Sequence, residues 1–176
     1  MEKNNTGFSL VELMVVIAIM AILMGFASYS FGLIFSSSAK ECAQKLSSQL
    51  YETRTGSMCR YGEELTIKYS DGYYIQRATY TINKDGMQEP LSDQESKKIA
   101  SSRVKITAYL EGDSTPYIIN SMTKIKISYN HSSGEFTYPS INNVQQPSYL
   151  EKIVIESGNK VYTIKMVPET GKHSIE

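Results

Sequence analysis

The chain has 176 residues, with 18 basic and 18 acidic side chains and no net formal charge, so nothing pulls it globally toward nucleic acid or anionic surfaces. Two cysteines are too few for a disulfide framework. Apolar residues make up 41% of the chain and crowd between positions 8 and 35; the roughly 140 residues that remain suit one globular domain rather than two. Thirteen tyrosines against no tryptophan fit a β-rich domain.

A polar leader, Met1 to Thr6 with Lys3, comes first. It runs into Gly7-Phe8-Ser9-Leu10-Val11-Glu12-Leu13, and residues 13–35 then carry no charge, with Ser28 and Ser30 as their polar members. About 20 apolar residues cross a hydrocarbon core, so this run predicts a membrane-spanning helix. It is too long for the apolar core of a secretory signal, and Tyr29-Ser30-Phe31-Gly32 is a poor small-residue cleavage site. Glu12 stands out, since a carboxylate near the start of such a helix costs on the order of 1–3 kcal/mol to insert. Two readings fit it. A helix N-terminus favours an acid through its dipole, or the charge meets a partner outside its own chain.

This stretch resembles the N-terminal region of the type IV prepilins and pseudopilins, over roughly residues 1–35. The resemblance implies that residues 1–7 are a leader removed by prepilin peptidase, which cuts between Gly7 and Phe8. It implies that Phe8 becomes an N-methylated terminus and that Glu12, five positions into the mature chain, is the registering charge that pairs with the α-amino group of a neighbouring subunit. Residues 8–35 would be the transmembrane and filament-core helix. Other pilin or pseudopilin subunits, the peptidase and an inner-membrane assembly platform would be the partners. The protein would sit as a single-pass protein of the cell membrane with its head extracytoplasmic, then in a surface or periplasmic filament. Many members carry a mid-helix proline; here the region holds Gly25 and Gly32, which suit close helix packing or a locally softened helix.

Beyond residue 35 the composition turns polar without a Pro/Gly linker, so the helix is expected to continue, from about Phe8 to Gly56 or slightly further. Ala39, Cys42, Ala43, Leu46, Leu50 and Met58 form one apolar stripe, with Lys40, Gln44, Lys45, Ser48, Glu52 and Arg54 on the polar side. Residues 36–60 thus read as the amphipathic half of the same helix. Cys42 and Cys59, seventeen positions apart, would lie roughly 25 Å apart along it, beyond the ~7 Å a disulfide tolerates. Two free thiols follow, Cys42 buried in the stripe.

Residues 61–176 read as an antiparallel β head. Residues 65–69 and 73–77 predict a hairpin around Ser70-Asp71-Gly72. Further strands are expected at 103–110, at 124–129 with 135–138 across the turn 130–134, and at 150–156 with 160–167 across Ser157-Gly158-Asn159. Val104, Ile106, Ile125, Ile127 and Val161 alternate with Lys105, Lys126 and Lys160, so one sheet face is wet. The expected class is α+β: a long N-terminal helix packed on an antiparallel β-sheet head, the pilin fold. LSSQLYETRTGSMCRYGEELTIKYSDGYYIQ and the tail TGKHSIE are similar to the H-type minor pseudopilins of type II secretion and the FimU-type minor pilins.

Residues 83–98 read as the main loop. Aligning Asn83, Asp85 and Gly86 with a calcium-binding loop puts Thr81 and Ser92 at two ligand positions where stronger oxygen donors belong, so a solvated loop is expected. No metal, cofactor or catalytic group is assigned. His131 and His173 lack ligand-spaced neighbours and read as surface residues, and no serine sits in a nucleophile elbow. Lys105, Lys124 and Lys126 interleave with Tyr109, Tyr117 and Tyr129, a pattern that could stack nucleic acid. Alternating lysines more often keep a sheet edge soluble, and nucleic acid is not expected as a partner. The expected function is a non-enzymatic minor pilin or pseudopilin. The alternative is a membrane-anchored extracytoplasmic binding protein that never polymerises.

Overall fold

Ser9 opens a 50-residue helix, α1 (Leu10–Cys59). The computed structural model describes residues 9–59, 62–82, 88–90 and 96–176, without the side chains of 26–37, 82 and 88–90. Gly7, Phe8 and most of the expected loop 83–98 lie outside the described residues. The chain divides into two units, Met1–Ile34 and Phe35–Glu176.

In the first unit the described side chains, residues 9–25, are all exposed. Leu10, Val11, Leu13 and Met14 begin this surface, and Ile22, Leu23 and Met24 continue it. Among the described residues no helix is long and apolar enough to cross a membrane; the side chains of residues 26–37, part of the expected span, lie outside them.

In the second unit the helix does what its stripe predicts as far as Leu50. Ala39, Cys42, Ala43, Leu46 and Leu50 are fully buried, and each leucine gains roughly 1.5–3 kcal/mol from leaving water. The last member is a correction: Met58 is 44% exposed, and Thr53 and Ser57 continue the stripe instead, both fully buried. They lie three and seven positions after Leu50, on the buried face, whereas Met58 is one position past it. Backbone partners make the polar pair tolerable there. Thr53 Oγ1 donates to the Gln49 carbonyl at 2.7 Å. Ser57 Oγ donates to the Glu63 carbonyl at 3.2 Å and accepts the Glu63 amide at 3.1 Å. The chain folds back so tightly that a side chain on Gly56 would strike the Glu63 carboxylate.

Strands follow in the order β1 (Glu63–Tyr69), β2 (Gly72–Ile82), β3 (Gln88–Pro90), β4 (Ser96–Ser101), β5 (Lys105–Leu110), β6 (Tyr117–Ile118), β7 (Ile125–Ser128), β8 (Ser140–Ile141), β9 (Val144–Gln145), β10 (Leu150–Ser157), β11 (Lys160–Val167) and β12 (Lys172–Ile175). The α+β class and antiparallel pairing expected from the sequence hold, with the strands divided between two sheets. A seven-stranded sheet runs β3-β2-β1-β7-β8-β9 with β4 also on β2, and a five-stranded sheet runs β12-β11-β10-β5-β6. Three expected boundaries also move. The loop 83–98 contains β3 and the start of β4, both paired to β2. Residues 135–138 form a single bridge, Tyr129 to Phe136, and β7 pairs with β8 instead. The strand expected from residue 103 starts at Lys105.

Both sheets contribute to one core with the helix stripe: Leu65, Ile67, Ile75, Ile125 and Ile127 from one, Ile106, Ile153, Ile155 and Ile164 from the other. Tyr73 joins them. Its buried hydroxyl donates to the Ile119 carbonyl at 3.1 Å and accepts the Ile106 amide at 3.2 Å, so a β2 side chain hydrogen-bonds to β5.

Candidate assembly site at the helix start

The first turn of α1 is built by Ser9 and Glu12. Ser9 Oγ accepts the Glu12 backbone N–H at 3.2 Å, and the Ser9 carbonyl accepts the Leu13 N–H at 3.2 Å. Ser9 is therefore the N-cap, with Glu12 three residues on, the S-x-x-E spacing of a capping box. The acid also sits in the first turn, where the helix dipole favours negative charge. The S-x-x-E spacing that marks this cap is legible in the sequence. The cap accounts for a glutamate here without any partner; it does not account for the apolar exterior that follows it.

That exterior is apolar all round from Leu13 to Met24 and exposed at every position. A helix of this kind is stable only when lipid or other helices cover it. Residues 3–28 match the family model of the prokaryotic N-terminal methylation motif.

The chain carries the class III signal of type IV prepilins and pseudopilins. The matched stretch includes Gly7, Phe8 and Glu12. It implies processing by prepilin peptidase and assembly with other pilin subunits, as a membrane-anchored or surface filament protein, and it favours a structural subunit over an enzyme. No curated protein and no solved structure matches the chain.

Of the other residues singled out in the sequence, His131 is exposed as expected yet hydrogen-bonded, and His173 is a correction, being half-buried. His131 Nδ1 lies 2.7 Å from the Ser57 carbonyl, and His173 Nε2 lies 3.1 Å from the Ser47 carbonyl and 2.9 Å from Ser47 Oγ. Each ring clips a head segment to α1. Arg54 does the same from the helix side: its Nε donates to the Gly134 carbonyl at 3.0 Å. Gly171, at φ 64°, packs so close that a Cβ would lie 1.7 Å from the Gly134 oxygen and 2.9 Å from Arg54 Nε. Arg54 and the TGKHSIE tail, the two ends of the looser resemblance, thus meet.

The lysine and tyrosine stripe does not form. Tyr129 is buried against Phe136, ring centroids 4.6 Å apart, so it offers no face to a base. Lys105 lies on the five-stranded sheet and pairs with Glu156 at 3.3 Å, while Lys126 lies on the other sheet and pairs with Glu64 at 2.9 Å. Cys42 is buried as expected, and desolvation pushes its thiol up to about 12. Cys59 is exposed. Among the described residues no cluster of His, Cys, Asp and Glu could hold a metal ion.

Proposed function

We propose that this protein is a minor pilin or pseudopilin, the structural subunit of a type IV pilus-like or type II secretion filament. One observation carries the reading: the methylation motif leads into a capped glutamate and an apolar helix whose described side chains are exposed. Residues 1–7 are the leader, cleavage falls between Gly7 and Phe8, and the new Phe8 amine is methylated. Residues 8–35 hold the subunit in the membrane and then bundle in the filament core. There the Glu12 carboxylate meets the α-amino group of a neighbouring subunit, a group that exists only after cleavage. Assembly is thereby conditional on processing. Residues 36–60 form the spine of the head, and 61–176 the β domain presented outside the membrane.

The capping bond bears on how this is tested. Alanine at position 12 removes the charge and the capping-box acid together, whereas Glu12→Gln removes only the charge, since glutamine also serves at that position. Mass spectrometry of the chain from cells with and without prepilin peptidase is expected to show a methylated Phe8 start only when the peptidase is present. An intact Met1 start in peptidase-positive cells sinks the filament reading in favour of a permanently anchored binding protein. Glu12→Gln is then expected to be cleaved normally yet to vanish from sheared filaments. Normal incorporation of this variant would leave Glu12 a helix-start preference and nothing more.

A further inference from the structure

The outer face of the seven-stranded sheet carries a basic concavity of about 340 Å³, lined by Thr66, Lys68, Gln76, Lys124, Lys126, Ser140 and Asn143. Strand register explains why these residues converge. Thr66 on β1 stands opposite Gln76 on β2 and Lys126 on β7, and Lys126 opposite Ser140 on β8. Four strands therefore place Gln76, Thr66, Lys126 and Ser140 in one row across a single face. Lys68 lies two residues along β1 from Thr66, and Lys124 two residues before Lys126, so both flank that row on the same face.

The far rim is fixed. Asn142 and Asn143 both have positive φ, 52° and 66°, as a two-residue turn of the mirror-image type requires. The turn is fastened to the start of β7: Asn142 Oδ1 accepts the Lys124 amide at 2.9 Å, and the Asn142 amide donates to the Lys124 carbonyl at 3.0 Å. Asn143 and Lys124 are thus held at the site by backbone geometry rather than left on a loose loop.

The charges do not balance. Of three ammonium groups, Lys126 alone meets a carboxylate among the described residues, Glu64, which it shares with the Tyr80 hydroxyl at 2.8 Å. Lys68 donates to the neutral Gln76 Oε1 at 3.1 Å. Among the described residues neither Lys68 nor Lys124 has a carboxylate within 4.0 Å. Like charges gathered on one sheet face repel and cost stability unless something anionic occupies the gap between them. The polar lining is rich in donors: three ammonium groups, the Thr66 and Ser140 hydroxyls and the Asn143 amide. A phosphate group, with three strongly accepting oxygens and up to two negative charges, matches that stock better than a carboxylate with two oxygens. The volume leaves room for part of whatever carries the phosphate.

We infer that this concavity is a binding site for the phosphate group of a small or polymeric phosphate ester, with Lys68 and Lys124 as its charge-bearing residues and Thr66, Ser140 and Asn143 as hydrogen-bond donors. The site is independent of filament assembly and does not rest on that reading. The test is titration calorimetry of the full chain in a non-ionic detergent against orthophosphate, glycerol phosphate and an oligomeric glycerol phosphodiester. Saturable orthophosphate binding is expected, weakened about tenfold or more by Lys68→Gln or Lys124→Gln and severalfold by added salt. Lys105→Gln, on the other sheet, should bind within twofold of the unaltered chain. Asn143→Asp keeps a residue that tolerates the left-handed turn while adding negative charge to the rim, and it too should weaken binding. Tighter binding of the phosphodiester oligomer than of either small phosphate assigns a polymeric source, and equal binding a small one. Absence of saturable orthophosphate binding, or full binding by both lysine variants with unchanged near-ultraviolet circular dichroism, overturns the site.

Discussion

The two halves of α1 have opposite fates. Between residues 9 and 25 every described side chain is exposed. From Ala39 to Ser57 one face is fully buried while Lys40, Glu41, Gln44 and Ser48 stay in water. The difference lies in periodicity. An apolar surface spread around the whole circumference cannot be satisfied by a domain packed on one side, so it needs a surrounding medium. A stripe needs only one neighbour, and the head supplies it. The helix is therefore stabilised in one half by tertiary packing and in the other by whatever surrounds it outside the chain.

Paired truncations test that contrast most directly. Leu50→Ala opens a cavity in the shared core and is expected to cost about 2–5 kcal/mol, a fall in melting temperature of roughly 4–20 °C for a chain of this size. Ile17→Ala removes a similar volume from an exposed position and should leave head stability within about 0.5 kcal/mol. Thermal unfolding of both variants in one detergent decides the matter. Equal losses would mean that residue 17 packs on something in the chain, and the contrast would fall.

A second, smaller loss is expected within the head. Tyr73→Phe keeps the ring and deletes the hydroxyl that links β2 to the Ile106 amide and the Ile119 carbonyl. Two buried backbone groups lose their partner, at about 1–3 kcal/mol, and unfolding in denaturant should show it. The cost also tests whether the two sheets are coupled, since amide exchange should rise around Ile106 and Ile119 as well as in β2. A variant as stable as the parent would reduce the tyrosine to a space-filler.

That bridge illustrates what the letters could and could not tell. Local signals were legible: the stripe through Leu50, the Asp-Gly turn, and the hairpin of β10 and β11 across Ser157-Gly158-Asn159. Each is decided by residues a few positions apart. Partner choice is not. Ile67 and Ile106 alternate with polar neighbours in the same way, yet one pairs with β2 and β7 and the other with β10, because pairing is settled by contacts distant in sequence. Thr53 and Ser57 were missed because a buried hydroxyl with a backbone partner imitates a surface residue in composition. At the helix start the motif made Glu12 legible, but its bond to Ser9 went unread. The basic concavity went unread as well, because Lys68, Lys126 and Ser140 meet only once β1, β7 and β8 are in register.

The smallest expected effect concerns acid, and it again separates the halves of the helix, because the responsible ring is clipped to the second. His173 Nε2 donates to the Ser47 carbonyl, while Nδ1 is buried with no hydrogen-bond partner among the described residues. Protonation would place a charge and an unpaired N–H there. Burial holds the imidazole pKa below its ordinary 6.5, the Ser47 bond opposes that shift, and the nearby Arg54 charge reinforces it. The unfolded chain thus binds a proton at a pH where the folded one resists it. Stability is fully present above about pH 6.5 and falls as the pH drops through that value toward the lower folded pKa. Asp71, held down to about 2 by Lys98, remains charged throughout and does not mask the effect. Between pH 7.5 and 5.5 the melting temperature should fall on the order of 1–3 °C, and His173→Gln should remove most of that fall. An identical pH profile in the glutamine variant would place the acid sensitivity elsewhere in the head.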